Sequence, residues 1–332
     1  MALDLPFIWA GIIAFAVLAY VMLDGFDLGV GILFPLFPRR EHRDAMMNSV
    51  APVWDGNETW LVLGGGGLLA AFPLAYAIVM PALYAPIIIM LLALVFRGVA
   101  FEFRWKTEAG RRLWDRAFAW GSISATIMQG IALGALVQGI PVAGRSYAGG
   151  WWDWLSLFSM LTGAALLAGY ALLGATWLIL KTEGELQARA RHLARLSGFA
   201  TIGFITAVSL WTPFLNPLYM SRWFAFPQIL YTAPVPLLVA LCVFALHHGL
   251  NTGRELLPFL AAQGLFVLSY VGLGISFYPY ILPPSLSIWD AAAPPESQAF
   301  LLVGTALLIP LILAYTAYAY WVFRGKTRSF YR

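Results

Sequence analysis

Long runs of uncharged, mostly apolar residues make up most of this chain, and short polar segments separate them. Each run can be compared with the ~20 residues that an α-helix needs to cross the hydrocarbon core of a bilayer. The first begins at Leu5 and continues past two aspartates to Phe37, and the second covers Thr59 to Phe96. Six further runs are Ala117–Gly144, Trp154–Leu180, Leu196–Ser221, Trp223–Gly253, Leu256–Trp289 and Ser297–Phe323.

The run from Thr59 to Phe96 contains Pro73 and Pro81 and fits two helices joined by a tight turn. Two crossings and a turn need slightly more than ~40 residues, so the first of these helices must begin at or before Trp54. The pattern therefore predicts nine transmembrane helices in one all-α membrane domain over residues 1–332.

The composition supports this class of protein. Hydrophobic residues make up 61% of the chain, charged residues 11%, and the mean hydropathy is +0.78, which excludes an ordinary soluble enzyme. A net charge of +4 is better explained by basic cytoplasmic loops than by nucleic-acid binding. The N-terminus lacks the basic segment of a secretory signal, so we expect the first span to be retained. Cys242 is the only cysteine, which excludes an intrachain disulfide and a cysteine-held metal or iron–sulfur site.

The basic residues are distributed unevenly along the chain. All of the 20 lysines and arginines except Arg97, Arg145 and Arg222 lie in the segments after the first, third, fifth and seventh predicted helices or in the C-terminal tail. Lysine and arginine are enriched in cytoplasmic loops. The sequence therefore predicts a periplasmic N-terminus and a cytoplasmic C-terminus, in agreement with an odd number of helices.

Four carboxylates lie in or beside the first two predicted helices: Asp24, Asp27, Asp55 and Glu58. Acids at membrane depth are costly and commonly mark ion pathways or buried partners. If the first helix leaves the hydrocarbon near Phe34, Asp24 is about 15 Å deep, close to the midplane. The members of each pair are three positions apart and so share a helix face. Asp55 and Glu58 are expected at the cytoplasmic border.

Each acidic pair has a structural interpretation as well as a functional one. Asp24 and Asp27 could simply pair with Arg97, which we expect at the cytoplasmic end of the third helix with Glu102 close to it. We favour a proton relay that includes at least Asp24, because one arginine cannot neutralise four acids. Asp55 and Glu58 could cap the N-terminus of the second helix, which carboxylates favour. That role is compatible with a place at the mouth of a proton pathway.

The chain offers no obvious haem ligand at membrane depth. A haem buried in a helical bundle needs axial ligands, usually His or Met. His42 and His192 lie in basic loops, and His247 and His248 close the seventh predicted helix at the cytoplasmic border. The Gly64–Gly67 run lies within a span and is not a phosphate loop. It favours close helix contact or a bound prenyl chain.

Several long motifs resemble subunit II of the cytochrome bd quinol oxidases. They are Asp24-Gly-Phe-Asp-Leu-Gly-Val-Gly31, Asn48-Ser-Val-Ala-Pro-Val-Trp-Asp-Gly-Asn-Glu-Thr-Trp-Leu61, Phe96-Arg-Gly-Val-Ala-Phe-Glu-Phe-Arg104, Tyr278-Pro-Tyr-Ile-Leu-Pro283, Ser287-Ile-Trp-Asp-Ala291 and Tyr315-Thr-Ala-Tyr318. The resemblance spans the whole chain. The short loops and the Asn57-Glu-Thr-Trp60 form are similar to the cyanide-insensitive branch.

This resemblance implies a subunit of a heterodimeric terminal oxidase in the bacterial cytoplasmic membrane, which oxidises quinol and reduces dioxygen to water. It implies two four-helix bundles plus a peripheral helix. It also implies that the two b haems, haem d and the quinol-oxidising loop belong to the larger subunit I, so that this chain binds no cofactor directly. A structural quinone or lipid among the helices, and a small accessory subunit, remain open.

The resemblance further implies that Asp24 and Asp55 belong to a cytoplasmic proton route. Protons would enter at Asp55 and Glu58, pass Asp27 and Asp24, and cross the subunit interface to the partner's haem. Two alternatives remain from other classes. One is a secondary transporter that uses membrane carboxylates. The other is a purely structural partner whose acids only bind arginine.

Overall fold

A computed structural model of the chain describes residues 3–327. Over this range the helices are α1 (Leu5–Leu33), α2 (Arg40–Val50), α3 (Trp54–Ala71), α4 (Pro73–Ala82), α5 (Tyr84–Lys106), α6 (Arg111–Gln138), α7 (Leu157–Lys181), α8 (Gly184–Trp211), α9 (Pro217–Phe224), α10 (Ile229–Thr232), α11 (Pro234–Asn251), α12 (Leu256–Phe277) and α13 (Pro295–Val322). The strands are β1 (Val142–Ala143), β2 (Ser146–Tyr147), β3 (Tyr280–Leu282) and β4 (Leu286–Ser287). Arg328 and Arg332 of the basic tail lie outside the described residues.

Eight helical segments between residues 3 and 327 are long and apolar enough to cross a membrane. They are α1, α5, α6, α7, α8, α12, α13 and the continuous segment of α10 and α11. The ninth predicted span corresponds to α3 and α4, which do not meet this standard. α3 has 18 residues and carries Asp55 and Glu58 in its first two turns, and α4 has only 10 residues. The ninth crossing therefore stays a prediction.

Several helix boundaries differ from those predicted. α5 continues ten residues beyond Phe96 to Lys106, and α8 begins at Gly184 rather than Leu196. Charged residues end an apolar run, but they do not interrupt backbone hydrogen bonding, so these helices extend past the hydrocarbon. The run Trp223–Gly253 contains one membrane-spanning segment, as predicted, but this segment is shorter than the run: it covers Ile229–Asn251 and consists of α10 and α11.

Two hairpins depart from the purely helical prediction. β1 pairs with β2 and β3 pairs with β4, both antiparallel. They occupy the ends of the runs Ala117–Gly144 and Leu256–Trp289, whose helices stop at Gln138 and Phe277. Prolines 141, 279, 283 and 284 follow these helix ends, and proline lacks the N–H that a continuing helix requires. The hairpins cap the end of the molecule opposite the basic segments.

α1 is the central helix and packs against α3, α6 and α7. A Cβ atom on Gly29 would lie 1.9 Å from the carbonyl oxygen of Tyr170, and one on Gly31 would lie 2.0 Å from the hydroxyl of Ser122. These glycines let the backbones of α7 and α6 come close to α1, as small residues do at helix contacts in membranes. Residues 24–31 are consequently all buried. α13 is peripheral, since no residue of its most apolar stretch is buried and its main helix contacts are with α1 and α3.

A network of ion pairs joins α2, α5 and α6 at the basic end of the molecule. The fully buried Arg104 contacts Asp44 through Nη2 at 2.7 Å and Asp115 through Nε at 2.6 Å. Asp115 also accepts a bond of 3.0 Å from Arg43. Arg39 and Glu185 form a further pair that links the start of α2 to α8. α2 is thereby fixed beneath the ends of the long helices.

Candidate functional site

Asp24 and Arg97 form a fully buried ion pair between α1 and α5. The Oδ1 atom of Asp24 and the Nη2 atom of Arg97 are 3.0 Å apart, and both side chains are 0% exposed. The sequence predicted Arg97 at the end of its helix, but the structure places it further inside. It lies nine residues before Lys106, just as Asp24 lies nine residues before Leu33, so each is about 14 Å from its helix end. The two side chains meet because they lie at matching depths.

Arg97 also contacts Glu58, which lies on α3. The Nη1 atom of Arg97 is 3.4 Å from Oε2 of Glu58, whose side chain is 24% exposed. The guanidinium group lies 5.8 Å from the centre of the Phe101 ring, which stacks on Trp54 at 4.7 Å. Arg97 thus bridges a buried acid and a partly exposed one, beneath a pair of aromatic rings.

Asp27 binds to a different partner on α3. Its Oδ2 atom accepts a hydrogen bond of 2.7 Å from the Nδ2 atom of Asn57. The Oδ1 atom of Asn57 in turn accepts a bond of 2.9 Å from the hydroxyl of Tyr320 on α13. The Oδ1 atom of Asp27 is buried without a hydrogen-bond partner among the described residues. Asp27 is therefore linked to the peripheral helix rather than to Arg97.

A second polar chain lies on the other side of Asp24. Tyr20 is one turn before Asp24 on α1, and its hydroxyl accepts a bond of 2.6 Å from Gln129 on α6. The Oε1 atom of Gln129 accepts a bond of 3.2 Å from the hydroxyl of Tyr170 on α7. Polar side chains thus continue from the acids into the interior of the bundle.

Two of the predicted site residues do not join this cluster as expected. Glu102 does not lie near Arg97. Its side chain is 67% exposed and pairs with Lys106 at 3.5 Å. Five positions along a helix turn by about 140°, so two residues with this spacing face different directions. Asp55 is in the first turn of α3 but exposed, and within residues 3–327 its carboxylate forms no ion pair.

Neither Asp55 nor Glu58 makes the N-terminal capping hydrogen bond that the structural interpretation predicted for α3. Val53 occupies the N-cap position of α3, and no side chain makes the capping hydrogen bond. Glu58 points towards Arg97 instead. The two acids therefore separate, with one turned to the outer surface of α3 and the other to α5.

His42 and His192 lie in helices and not in the loops predicted from the sequence, whereas His247 and His248 lie near the end of a membrane-spanning segment, as predicted. His42 is half-buried in α2, His192 is exposed in α8, and His247 and His248 are exposed near the end of α11. All four are at the basic end of the molecule. None of them presents a buried imidazole that could serve as an axial haem ligand inside the described bundle.

Sequence reasoning missed several members of the polar cluster. Asn57 lies within one of the motifs but has no predicted role, and Tyr20, Gln129 and Tyr320 are not among the predicted site residues. A polar side chain one turn from an intramembrane acid is a usable signal, which would have identified Tyr20. The contact between Asn57 and Tyr320 joins residues 263 positions apart, and no local pattern indicates it.

Comparison with protein families decides the class of the protein. The model of the family described as cytochrome bd terminal oxidase subunit II matches residues 5–323. The chain belongs to this family. Cytochrome bd-I ubiquinol oxidase subunit 2 of Escherichia coli K12 is 30% identical over 369 residues, covering 97% of this chain and 95% of that protein. Cytochrome bd ubiquinol oxidase subunit 2 of Bacillus subtilis 168 is 27% identical, covering 96% of both chains.

The solved structure of bd oxidase from Geobacillus thermodenitrificans has the same fold. Its chain matches this bd oxidase subunit II with a TM-score of 0.73 and 18% identity, over 96% of this chain and 99% of that one. The apolar helices and the family together make the protein a multi-pass protein of the bacterial inner membrane and a subunit of a terminal oxidase. This favours an oxidase subunit over a secondary transporter. The cyanide-insensitive branch stays a prediction.

Proposed function

We propose that this chain is the subunit of a quinol:dioxygen oxidoreductase that conducts cytoplasmic protons towards the oxygen-reducing centre in subunit I. Relatives with 27–30% identity are named as subunits of ubiquinol oxidases, which supports quinol as the electron donor. The haems would lie in subunit I, where haem d supplies the site of dioxygen reduction. Subunit II would contribute positioned carboxylates, not redox chemistry.

The observation that carries this proposal is the charge balance of the buried cluster. Among residues 3–327, Arg97 is the only basic side chain that pairs with any acid of this cluster: it contacts Asp24 and Glu58, and Asp27 has no basic partner. If all three acids were ionised, two negative charges would remain uncompensated. A buried charge without a partner costs several kcal/mol, so such a cluster favours the binding of protons. A group of acids that holds protons at membrane depth is suited to transferring them.

The depth of Asp24 in the membrane determines how much of the membrane potential a proton crosses before it reaches this acid. Reduction of dioxygen to water consumes four protons, and a charge that crosses the full membrane is worth about 2.3 kcal/mol per 100 mV. Asp24 is about 14 Å from the end of α1, roughly half the ~30 Å hydrocarbon core. Protons that reach Asp24 from the cytoplasm would therefore move through about half of the potential.

We place the entrance of this route on α3, with protons passing from Asp55 and Glu58 to Asp27 and Asp24. Asp55 is exposed on a membrane helix, and lipid is a poor environment for a carboxylate. We infer that subunit I covers this face of α3. The proposed arrangement has α3 and α4 as the ninth crossing, with the N-terminus in the periplasm and the basic end of the molecule in the cytoplasm.

Two substitutions test this function in the purified complex. Asp24→Asn and Asp55→Asn should lower quinol-driven oxygen uptake and proton uptake in proteoliposomes while the haem spectra persist. Glu102→Gln is the matched control, since it removes an exposed acid from the same end of the molecule. Normal turnover and proton uptake in both acid variants would refute the proposal.

A purely structural function for the acids is the second candidate, and the ion pair of Asp24 with Arg97 favours it. Removing one partner of a buried pair typically costs ~3–5 kcal/mol. A slow Asp24→Asn complex could therefore result from distortion alone. The two functions differ when both charges are removed together.

A further inference from the structure

An open crevice lies at the basic end of the molecule, where α7 and α13 end and α3 begins. Its volume is about 710 Å³, and its walls include Asn48, Ser49, Trp177, Lys181, Tyr320 and Arg324. Neither acid of the α3 entrance lines it. The space is large enough for many water molecules, and its walls are polar on several sides.

The crevice reaches the buried acids through two side chains. Tyr320 lines it and donates a hydrogen bond of 2.9 Å to Oδ1 of Asn57. Asn57 is 1% exposed and donates a bond of 2.7 Å to Oδ2 of Asp27. Only one tyrosine and one amide therefore separate the crevice from an acid of the proposed relay.

The α3 entrance, in contrast, meets an obstacle. Glu58 approaches Asp24 only through Arg97, which contacts both acids. A guanidinium group keeps its proton under all physiological conditions and cannot pass protons on. A route that reaches Asp27 without passing Arg97 does not meet this obstacle.

We propose that the crevice is a second proton entrance, which feeds Asp27 through Tyr320, with Asn57 as the positioning residue between them. The inference rests on the proposed proton-conducting function. The amide of Asn57 is neither an acid nor a base near neutral pH, so it does not carry the proton. When Asn57 turns aside, Tyr320 gives its hydroxyl proton to a carboxylate oxygen of Asp27 and takes one from hydronium in the crevice. One proton moves inwards, and the tyrosine is restored.

Contacts of the C-terminal segment hold the crevice in shape. Lys181 donates a bond of 2.6 Å to the carbonyl oxygen of Phe323, and Lys326 pairs with Glu255 at 2.7 Å. The guanidinium of Arg324 lies 4.7 Å from the ring centre of Trp321. These three basic side chains therefore already have partners, and their contacts hold residues 323–327 in place as a wall of the crevice.

The test uses the two-subunit oxidase in proteoliposomes, with Asp55→Asn present to impair the α3 entrance. Tyr320→Phe keeps the ring that packs 6.4 Å from both Phe26 and Trp177 but removes the hydroxyl. A positioned proton donor commonly contributes 10²–10⁴-fold, so adding this change should lower the remaining proton uptake at least about tenfold. It should also raise the solvent deuterium isotope effect on turnover, with the haem spectra unchanged. Tyr318→Phe, an exposed tyrosine on the same helix, is the matched control.

A second measurement does not depend on the tyrosine variant. Val322 borders the crevice and is partly exposed. In a Cys242→Ser background, a bulky charged thiol reagent on Val322→Cys should slow proton uptake, while the same label on Arg112→Cys at the exposed start of α6 should not.

Three results would refute the proposal of a second proton entrance. They are an unchanged rate when Tyr320→Phe is added, an unchanged rate after complete labelling at Val322→Cys, or no remaining proton uptake in Asp55→Asn alone. Any of these together with a slow Asp24→Asn complex would leave the proposed function standing. Normal rates in Asp24→Asn would instead refute the proposed function itself.

Discussion

Gly29→Ala tests the contact that places the acids of α1. The substitution adds one methyl group at the point where α1 crosses α7. That Cβ atom would lie 1.9 Å from the carbonyl oxygen of Tyr170 and 2.6 Å from the backbone nitrogen of Gly174. Both neighbours are backbone atoms, so no side-chain rotation can relieve the clash. The two helices would have to separate.

The magnitude follows from this geometry. An ordinary contact begins near 3.4 Å, so the helices must move apart by about 1.5 Å. Overpacking typically costs ~1–3 kcal/mol, while alanine gains up to ~1 kcal/mol over glycine in a helix. We expect the upper end of this range and a net loss of about 2 kcal/mol, because the clash is with backbone. Gly11→Ala on the same helix has no neighbour within 4 Å and should be neutral or slightly stabilising.

The assay is thermal inactivation of the purified oxidase, followed by loss of the haem absorbance and of oxygen uptake. Gly29→Ala should lower the inactivation midpoint or the yield of assembled complex, and Gly11→Ala should lower neither. Equal midpoints for the two variants would refute the close approach of α1 and α7.

Two further predictions concern the basic end of the molecule. Asp115→Asn removes a partner from both Arg43 and Arg104 and should lower the stability of the complex by ~3–5 kcal/mol. Glu102→Gln breaks only an exposed pair and should change the stability by less than ~0.5 kcal/mol. Similar inactivation midpoints for the two variants would contradict this prediction. Hydrogen bonds from Lys326 and Gln187 lower the pKa of Glu255, so the attachment of the C-terminal segment should be intact at neutral pH and should be lost as the pH falls through the lowered pKa of this carboxylate. A fall in the protection factor of the Thr327 amide at low pH would report this loss. A protection factor that does not change with pH, as expected for Glu255→Gln, would contradict it in the unmodified chain.

The sequence predicted much of the site because intramembrane charges are few. An acid in an apolar helix needs a partner, and Arg97 is the basic residue nearest to membrane depth. Its partnership with Asp24 could therefore be anticipated. The position of Glu102 could not be judged correctly, because the end of α5 was set ten residues too early and the helical phase was not considered.

Contacts between distant segments were beyond prediction from a single sequence. Tyr320 lies in a long apolar run with several other tyrosines, and only the packing of α13 against α3 brings it to Asn57. The segment around Pro73 is instructive in another way. A break there was expected, but the chain forms α3, the short α4 and α5 where two helices were predicted. Proline at the first position of a helix is as favourable as proline after its end, so its presence does not fix which of these occurs.

The most direct test of proton conduction compares Asp24→Asn with the double variant Asp24→Asn, Arg97→Gln. The double variant removes both members of the buried ion pair, and with them the arginine that in the single variant keeps only Glu58 as its partner. Proton uptake is measured in proteoliposomes that contain the two-subunit oxidase. The account predicts that the double variant assembles with normal haem spectra and still takes up protons slowly. Recovery of the normal rate would show that Asp24 serves only to balance Arg97.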